Sequence, residues 1–328
     1  MRLCLLVFSF YLLLLTSCSH AVRHEVNDTV TDDYGRTVIV NGQASRIVSA
    51  SPSITEILYA LGQSHRLVGR TDFCLYPPEA DTLPSIGGIS NLNVEAILAL
   101  QPDLVLTASM IPQRCVDQLQ QMGVPVVCII EKNHFEDLYG NIARIAQILH
   151  CQAAADSLIT LLQQRVKDEF RISNLIAPND SQLSTLTRRS ATVSGANSQQ
   201  INNSTNKQLN NSQLPTVYYV VGFGPTGNFT AGGSTFIDDI IQLAGGRNLA
   251  HDITGWSYSL ESLIHNDPDY IVVRREDSAS FCHTQPYTQL SAVKNGRVIG
   301  IESGTLDLQV PRNIDAVLYL REKIQAKK

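Results

Sequence analysis

The chain has 328 residues, of which 44% are hydrophobic and 17% charged, and its formal net charge is −5. This length and composition predict about two domains with substantial apolar cores. A negative chain without a basic stripe lacks the usual features of a nucleic-acid-binding protein, so nucleic acid is not expected as a partner.

The N-terminal segment predicts export. Arg2 is followed by an apolar run over residues 3–15, which ends in the sequence Leu-Thr-Ser-Cys at Cys18. The run is too short to span a bilayer and has the length of a signal-peptide core. Its end resembles a bacterial lipobox, which implies a signal peptide over residues 1–17, a lipidated Cys18 and a tether over residues 18–34. An ordinary signal peptide with an incidental cysteine is the alternative.

Apolar runs of strand length alternate with segments of helical periodicity along the rest of the chain. Strands are predicted at residues 46–49, 103–107, 125–130, 217–221, 270–273 and 297–301. Between them, apolar residues recur at helical spacing, as in residues 54–61 and residues 138–149. Alternation of this kind predicts an α/β fold with mostly parallel sheets flanked by helices.

Two segments interrupt this alternation. Residues 151–175 contain neither glycine nor proline and predict one long helix. Residues 176–215 are rich in Asn, Ser, Gln and Thr and contain no aromatic side chain, which predicts a disordered insertion. The segments on either side, residues 35–150 and 216–328, are predicted as N-terminal and C-terminal lobes.

The two lobes share an internal repeat. Residues 93–106 align without a gap on residues 259–272. Each segment begins with an N-cap residue, followed by an apolar residue, a glutamate, a small residue and two apolar residues. Further along, each contains Pro-Asp and then a predicted strand. A second matched pair, residues 54–62 and 237–245, occurs in the same order. Helix–turn–strand units resemble one another by chance, but the matched order favours duplication. The sequence therefore predicts two similar lobes joined by the long helix.

One glutamate occupies the same position in each copy of the repeat. Asn93 and Ser259 are favourable N-caps, so Glu95 and Glu261 fall in the first turn of their helices. An acid there stabilises the helix dipole by up to about 1 kcal/mol, which alone explains both residues. Glu56 completes an S-x-x-E capping-box pattern, which explains it as a local helix cap.

Aromatic residues make up only 6% of the chain, so their positions are informative. Several fall in loops that follow strands, where open α/β sheets bind ligands. These residues are Phe73, Tyr76, Phe229, Trp256 and Tyr258. Loop packing explains any one of them, but as a set drawn from both lobes they predict an aromatic-lined cleft.

The sequence carries none of the common catalytic or metal-binding patterns. Outside the N-terminal pair His20 and His24, no histidines have metal-ligand spacing, and no CxxC pair is present. We therefore expect no catalytic residue, no resident metal and no cofactor. A Ser-His-Asp set of distant residues stays an alternative, and so do disulfides within a group of five cysteines. These are Cys74, Cys115, Cys128, Cys151 and Cys282.

Several motifs together resemble a known family. They are Gly35-Arg36, residues 46–62, Val68-Gly69, residues 76–78, 93–95, 101–105 and 245–248, and Pro311-Arg312. In order and spacing they resemble the class III substrate-binding proteins, the periplasmic receptors of ABC importers for iron-siderophores, haem and cobalamin. The resemblance implies a lipid-anchored periplasmic or cell-surface protein. It also implies a permease dimer with its ATPase as the partner, which would dock through Glu95 and Glu261.

The ligand that this resemblance implies is a metal chelate. Residues 70–78 and the region of Trp256 are similar to the cobalamin-binding branch, in which Phe73 would lie over the corrin. Aromatic residues and an Asp–Arg pair of that branch are replaced at Ile89, Ala108, Gly304 and Leu308. The prediction is a receptor for cobalamin or a related corrinoid, ahead of an iron-siderophore or haem. A secreted hydrolase and a sensor or scaffold without transport are the alternatives.

Overall fold

The computed structural model describes residues 27–41, 43–108, 111–176, 214–225 and 227–326. The predicted signal peptide and Cys18 lie outside these residues, and so does nearly all of the polar segment predicted over residues 176–215. No helix in the described ranges is both long and apolar enough to cross a membrane.

A four-stranded parallel sheet forms the centre of the N-terminal lobe. Its strands are β3 (Ile47–Ser49), β4 (Leu67–Arg70), β7 (Leu104–Thr107) and β8 (Val126–Cys128), in the order β4-β3-β7-β8. Ile47 pairs with Leu104, and Val105 pairs with Val126. Strands β3, β7 and β8 are buried along their whole length, which explains why they read as continuous apolar runs rather than as alternating patterns.

The C-terminal lobe has a second parallel sheet with the same connectivity. Its strands are β9 (Thr216–Tyr219), β10 (Arg247–Asn248), β11 (Tyr270–Arg274) and β12 (Val298–Ile301), in the order β10-β9-β11-β12. In both sheets, the strand that is second in sequence lies at one edge. The first, third and fourth strands follow it in that order across the sheet. This shared order confirms the prediction of two similar lobes with parallel sheets.

Helices cover the sheets and join the lobes. They are α1 (Pro52–Ala60), α2 (Val94–Ala99), α3 (Gln113–Gln121), α4 (Asp137–Ile148), α5 (Gln152–Ile176), α6 (Phe236–Leu243), α7 (Leu260–Asn266), α8 (Arg275–His283), α9 (Ser291–Lys294) and α10 (Asn313–Gln325). Helix α5 is the predicted connecting helix. Single 3₁₀ turns occupy Ser64–Arg66, Pro78–Thr82 and Tyr287–Gln289.

An N-terminal hairpin adds a small antiparallel unit and corrects one expectation. Strands β1 (Asn27–Thr31) and β2 (Thr37–Asn41) pair antiparallel, so residues 27–34 are part of the fold although they were predicted as tether. The turn of the hairpin is fastened to β8, because the Asp33 backbone N–H donates to the Cys128 carbonyl at 3.1 Å. The Asp33 carboxylate in turn accepts from the Ile130 N–H at 2.7 Å. Two further short strands, β5 (Gly87–Gly88) and β6 (Asn91–Leu92), form a ladder next to the N-terminal sheet.

A single apolar cluster extends through both lobes. It includes Leu104 and Ile142 from the N-terminal lobe, Leu162 from α5, and Val217 and Ile240 from the C-terminal lobe. Burying this much apolar surface is the main contribution to stability. Each lobe has in addition a smaller cluster of its own on the other face of its sheet.

Candidate ligand cleft

The loop after β4 presents aromatic side chains on the N-terminal lobe. Phe73 is 59% exposed and Tyr76 is 43% exposed, and Leu75 between them is also exposed. Cys74 is buried beneath them, with its sulfur 3.1 Å from the Thr71 hydroxyl. On most protein surfaces, exposed apolar side chains are scattered singly. A cluster such as this one is typical of a surface that binds a ligand or a partner.

Buried hydroxyl groups lie at the carboxyl end of β3, where the chain turns into α1. The Thr55 hydroxyl oxygen lies 2.8 Å from Ser49 Oγ and 3.0 Å from the Ser51 carbonyl oxygen, within hydrogen-bond distance of both. Ser51 and Ser53 hydroxyls are 2.9 Å apart. These bonds satisfy polar groups that would otherwise be costly to bury. They make this part of the N-terminal lobe rigid.

The C-terminal lobe presents its aromatic residues on three adjacent backbone segments. Phe229 forms bridges with Gly222 on one side and Ser257 on the other. The Thr230 N–H donates to the Trp256 carbonyl at 2.8 Å, which fixes the backbone beside the Trp256 side chain. That side chain is 48% exposed, whereas Phe229 is half-buried.

Tyr258 does not belong with the exposed aromatic residues, and this part of the prediction is wrong. Its side chain is only 8% exposed and packs against Tyr218, with ring centroids 5.6 Å apart. Its hydroxyl accepts a hydrogen bond from the Asn266 amide at 2.9 Å. Tyr258 precedes the N-cap Ser259 and shares the lobe core with Leu263, which is the arrangement of a hydrophobic staple.

Glu95 and Glu261 both lie exposed in the first turn of their helices, α2 and α7. The predicted caps are present, because the Asn93 side chain accepts from the Ala96 N–H and the Ser259 side chain from the Ser262 N–H, each at 3.0 Å. Their docking role is not tested by these contacts and stays a prediction.

Glu56 has a different partner from the one predicted. Helix α1 begins after Ser51, which makes no side-chain cap, so the expected capping box is not formed. Instead the Arg312 guanidinium donates to both carboxylate oxygens of Glu56, Nε at 2.8 Å and Nη2 at 3.0 Å. Glu56 is 3% exposed, and its pKa is raised by burial in spite of the opposing effect of Arg312. The pair joins the two lobes.

Other polar contacts between the lobes surround this ion pair. The buried Gln309 amide donates to the Lys132 carbonyl at 2.5 Å and to the His134 carbonyl at 3.1 Å. Asp239 accepts from the Phe135 N–H at 2.9 Å, and burial raises the pKa of its carboxyl. These contacts come from segments that follow β8 and β12 and from α6. The carboxyl ends of the two sheets therefore face each other, as a ligand cleft of this fold requires.

The described residues were compared with the spacing that a metal ion would need. In the ranges given above, no group of three or more His, Cys, Asp and Glu side chains is arranged to hold a metal ion. The histidines with a side-chain partner are bonded to carboxylates, as in His251 with Asp238 at 3.0 Å. The five cysteines named above are free thiols.

The comparisons with known proteins agree with this architecture. Over 301 residues, 90% of this chain and 85% of the relative, the sequence is 26% identical to an uncharacterised ABC transporter substrate-binding lipoprotein of Bacillus subtilis. Over 234 residues, 70% of this chain and 69% of the relative, it is 29% identical to a vitamin B12-binding protein of Yersinia pestis. Residues 47–169 match the family model described as periplasmic binding protein. These residues of the N-terminal half are therefore similar to the periplasmic binding proteins.

Solved structures of periplasmic binding proteins share the fold. A periplasmic haem-binding protein from Pseudomonas aeruginosa superposes with a TM-score of 0.67 at 25% identity, over 87% of this chain and 94% of the other. The periplasmic vitamin B12-binding protein of Vibrio cholerae gives a TM-score of 0.60 at 23% identity, over 87% and 99% of the two chains. These superpositions confirm the fold that the sequence resemblance implies.

The residues that join the two lobes were missed by sequence reasoning. Pro311-Arg312 was part of the resemblance, but nothing assigned a partner to Arg312. Asp239 and Gln309 gave no signal in the sequence, because their partners are far away along the chain. A single sequence contains no information that pairs residues 56 and 312.

Proposed function

We propose that this chain is the extracytoplasmic substrate-binding component of an ABC importer, and that its ligand is a metal chelate. Cobalamin or a related corrinoid is the preferred ligand, ahead of an iron-siderophore or haem. The observation that carries the proposal is the set of exposed aromatic side chains, Phe73 and Tyr76 on one lobe and Trp256 on the other, at facing ends of two parallel sheets. Flat apolar ligands bind well to such surfaces.

The relatives support the choice of ligand class. A cobalamin-binding protein of Halobacterium salinarum is 26% identical over 300 residues, and the Yersinia protein named above binds vitamin B12. The haem-binding protein of Pseudomonas aeruginosa keeps haem as the alternative. Binding needs no catalytic group: the aromatic surfaces contact the ligand, and the contacts between the lobes hold the cleft at a fixed width.

The first experiment titrates the purified chain with cyanocobalamin, haemin and a ferric siderophore. Trp256 is the only tryptophan of the chain, so its fluorescence reports directly on the cleft. We expect saturable quenching with cyanocobalamin and a matching heat of binding by calorimetry. Trp256→Ala and Phe73→Ala should each weaken binding by about tenfold, because stacked aromatic contacts contribute roughly 1–2 kcal/mol.

Met122→Ala is the matched control for these variants. Met122 is 65% exposed, but it follows α3 and precedes β8, at the opposite end of the sheet from the loops of the cleft. Its removal should leave the affinity unchanged. If none of the three probes showed saturable binding, the proposed ligand class would be refuted.

We further propose that Glu95 and Glu261 dock this chain onto a permease dimer with its ATPase. Both acids are exposed, and the repeat places them at equivalent positions of the two lobes. Glu95→Lys combined with Glu261→Lys should abolish uptake and leave the ligand affinity intact. The control is Glu276→Lys, which reverses an equally exposed first-turn acid on α8. Loss of affinity in the double variant would contradict the docking role.

The lipid anchor belongs to the same proposal. The sequence around Cys18 and the lipoprotein relative of Bacillus subtilis support it. Cys18→Ser should move the exported protein from the membrane fraction to the soluble fraction, measured by fractionation and immunoblotting. Membrane association that persists in this variant would show that another feature holds the chain.

A further inference from the structure

Arg312 contacts a residue of the cleft as well as joining the lobes. Its guanidinium carbon lies 4.5 Å from the centre of the Tyr76 ring, which is the geometry of a cation–π contact. Tyr76 belongs to the N-terminal lobe, whereas Arg312 precedes α10 in the C-terminal lobe. A residue of one lobe therefore supports an aromatic ring that the other lobe presents to the cleft.

The guanidinium is held so that only its face is available to the ring. Nε and Nη2 donate to Glu56 along one edge, and Nη1 donates to the Thr305 hydroxyl at 2.7 Å. Hydrogen bonds from all three nitrogens fix the plane of the group, since each bond lies near that plane. The side chain is 12% exposed, so little water competes for the remaining face.

Gly304 makes room for this arrangement. A Cβ at this position would lie 3.2 Å from Arg312 Nη2, and the backbone has a φ of +76°, which favours glycine. Glycine at position 304 therefore leaves the space that the Arg312 guanidinium occupies. The position was identified above only as a departure from the cobalamin-binding branch.

We propose that Arg312 is a positioning residue for ligand binding, which fixes the ring of Tyr76 in the cleft from the opposite lobe. This inference rests on the proposed function, because it takes Tyr76 as a ligand contact. Tyr76 is 43% exposed, so without support its ring would have several rotamers, and fixing one of them on binding reduces affinity. Arg312 removes this penalty in advance.

The test is a double-mutant cycle on the affinity for cyanocobalamin, or for whichever of haemin and the ferric siderophore binds. Arg312→Gln should weaken binding about three- to tenfold in the wild-type and Tyr76→Phe backgrounds, where a ring is present. In the Tyr76→Leu background the loss should be clearly smaller, because only the contribution of Arg312 to the width of the cleft remains there. Arg144→Gln, which removes an arginine bound to Asp33 within one lobe, should change nothing.

A second readout needs no ligand. The Arg312 Nε–H resonance should carry a ring-current shift that Tyr76→Phe retains and Tyr76→Leu removes. Equal losses of affinity in all three backgrounds, or no such shift, would overturn the positioning role and leave the proposed function standing. Absence of saturable binding with every probe would overturn the proposed function and this role together.

Discussion

The backbone approach beside Trp256 makes a sharp prediction about glycine. Segment 232–233 runs against the loop 251–255, with the Gly233 N–H donating to the Ile253 carbonyl at 3.2 Å. A Cβ built on Gly233 would lie 1.9 Å from the His251 carbonyl oxygen. Real Cβ atoms essentially never approach a heavy atom closer than 3.0 Å. The loop must therefore retreat by about 1 Å in Gly233→Ala, a displacement typical of overpacked cores.

We expect Gly233→Ala to lower the free energy of unfolding by about 2 kcal/mol, in the range of overpacking substitutions. The control is Gly140→Ala in α4, where a Cβ would meet nothing within 4 Å. Alanine is favoured over glycine in a helix interior, so this variant should gain roughly 0.5–1 kcal/mol. The same chemical change thus has opposite signs at two sites.

Urea denaturation, followed by circular dichroism and by the emission of Trp256, measures both effects. The m-value should stay constant, because the surface exposed on unfolding does not change. Since the displaced loop leads directly into Trp256, Gly233→Ala should also shift its emission and weaken ligand binding. If Gly233→Ala were as stable as the wild type, with unchanged emission, the close contact could not determine the position of the loop.

Three further predictions concern buried side chains. Tyr258→Phe should cost about 1 kcal/mol, since it leaves the Asn266 amide without its acceptor, and a titration should show unchanged ligand affinity. Burial alone would raise the pKa of Asp32, but hydrogen bonds from Arg36 outweigh it, and the pKa lies below its ordinary value of 3.8. Asp32→Asn should therefore cost about 2 kcal/mol at pH 7, and this difference should vanish in urea titrations as the pH falls below about 3.8. Burial also raises the pKa of Cys128 to about 11, so the thiol stays protonated and unreactive at pH 8. Mass spectrometry should therefore find Cys128 unmodified by iodoacetamide at pH 8, until urea unfolds the chain.

The buried strands were predictable because their signal is local. Strand β7 reads Leu-Val-Leu-Thr, is buried throughout, and was found from its apolar run alone. Strand β4 was missed, since its second half is Gly69-Arg70. A Cβ at Gly69 would lie 2.5 Å from Leu100 Cδ1, so a larger residue would require the Leu100 side chain to move. Close packing against a neighbouring side chain is not visible in a single sequence.

The repeat contained more information than the prediction used. In the alignment of the two copies, Tyr258 stands opposite Leu92, and both precede an N-cap residue. Leu92 packs in the core of its lobe with Ile97, as Tyr258 does with Leu263. A core leucine at the equivalent position predicts a core tyrosine. The aromatic identity of Tyr258 suggested a ligand contact, whereas its position in the repeat indicates packing.

The contacts between the lobes explain how the cleft keeps its width. The attraction between apolar side chains in the shared core is not directional, so it specifies the relative position of the lobes less sharply than hydrogen bonds do. The pair of Arg312 and Glu56 resists displacement of the lobes, since a shift of about 1 Å would break both hydrogen bonds between them and leave the buried Glu56 carboxylate without its counter-ion. Such a pair adds little net stability, but it raises the free energy of arrangements in which the lobes are displaced. The cleft is therefore largely preformed, which lowers the entropy that ligand binding must overcome.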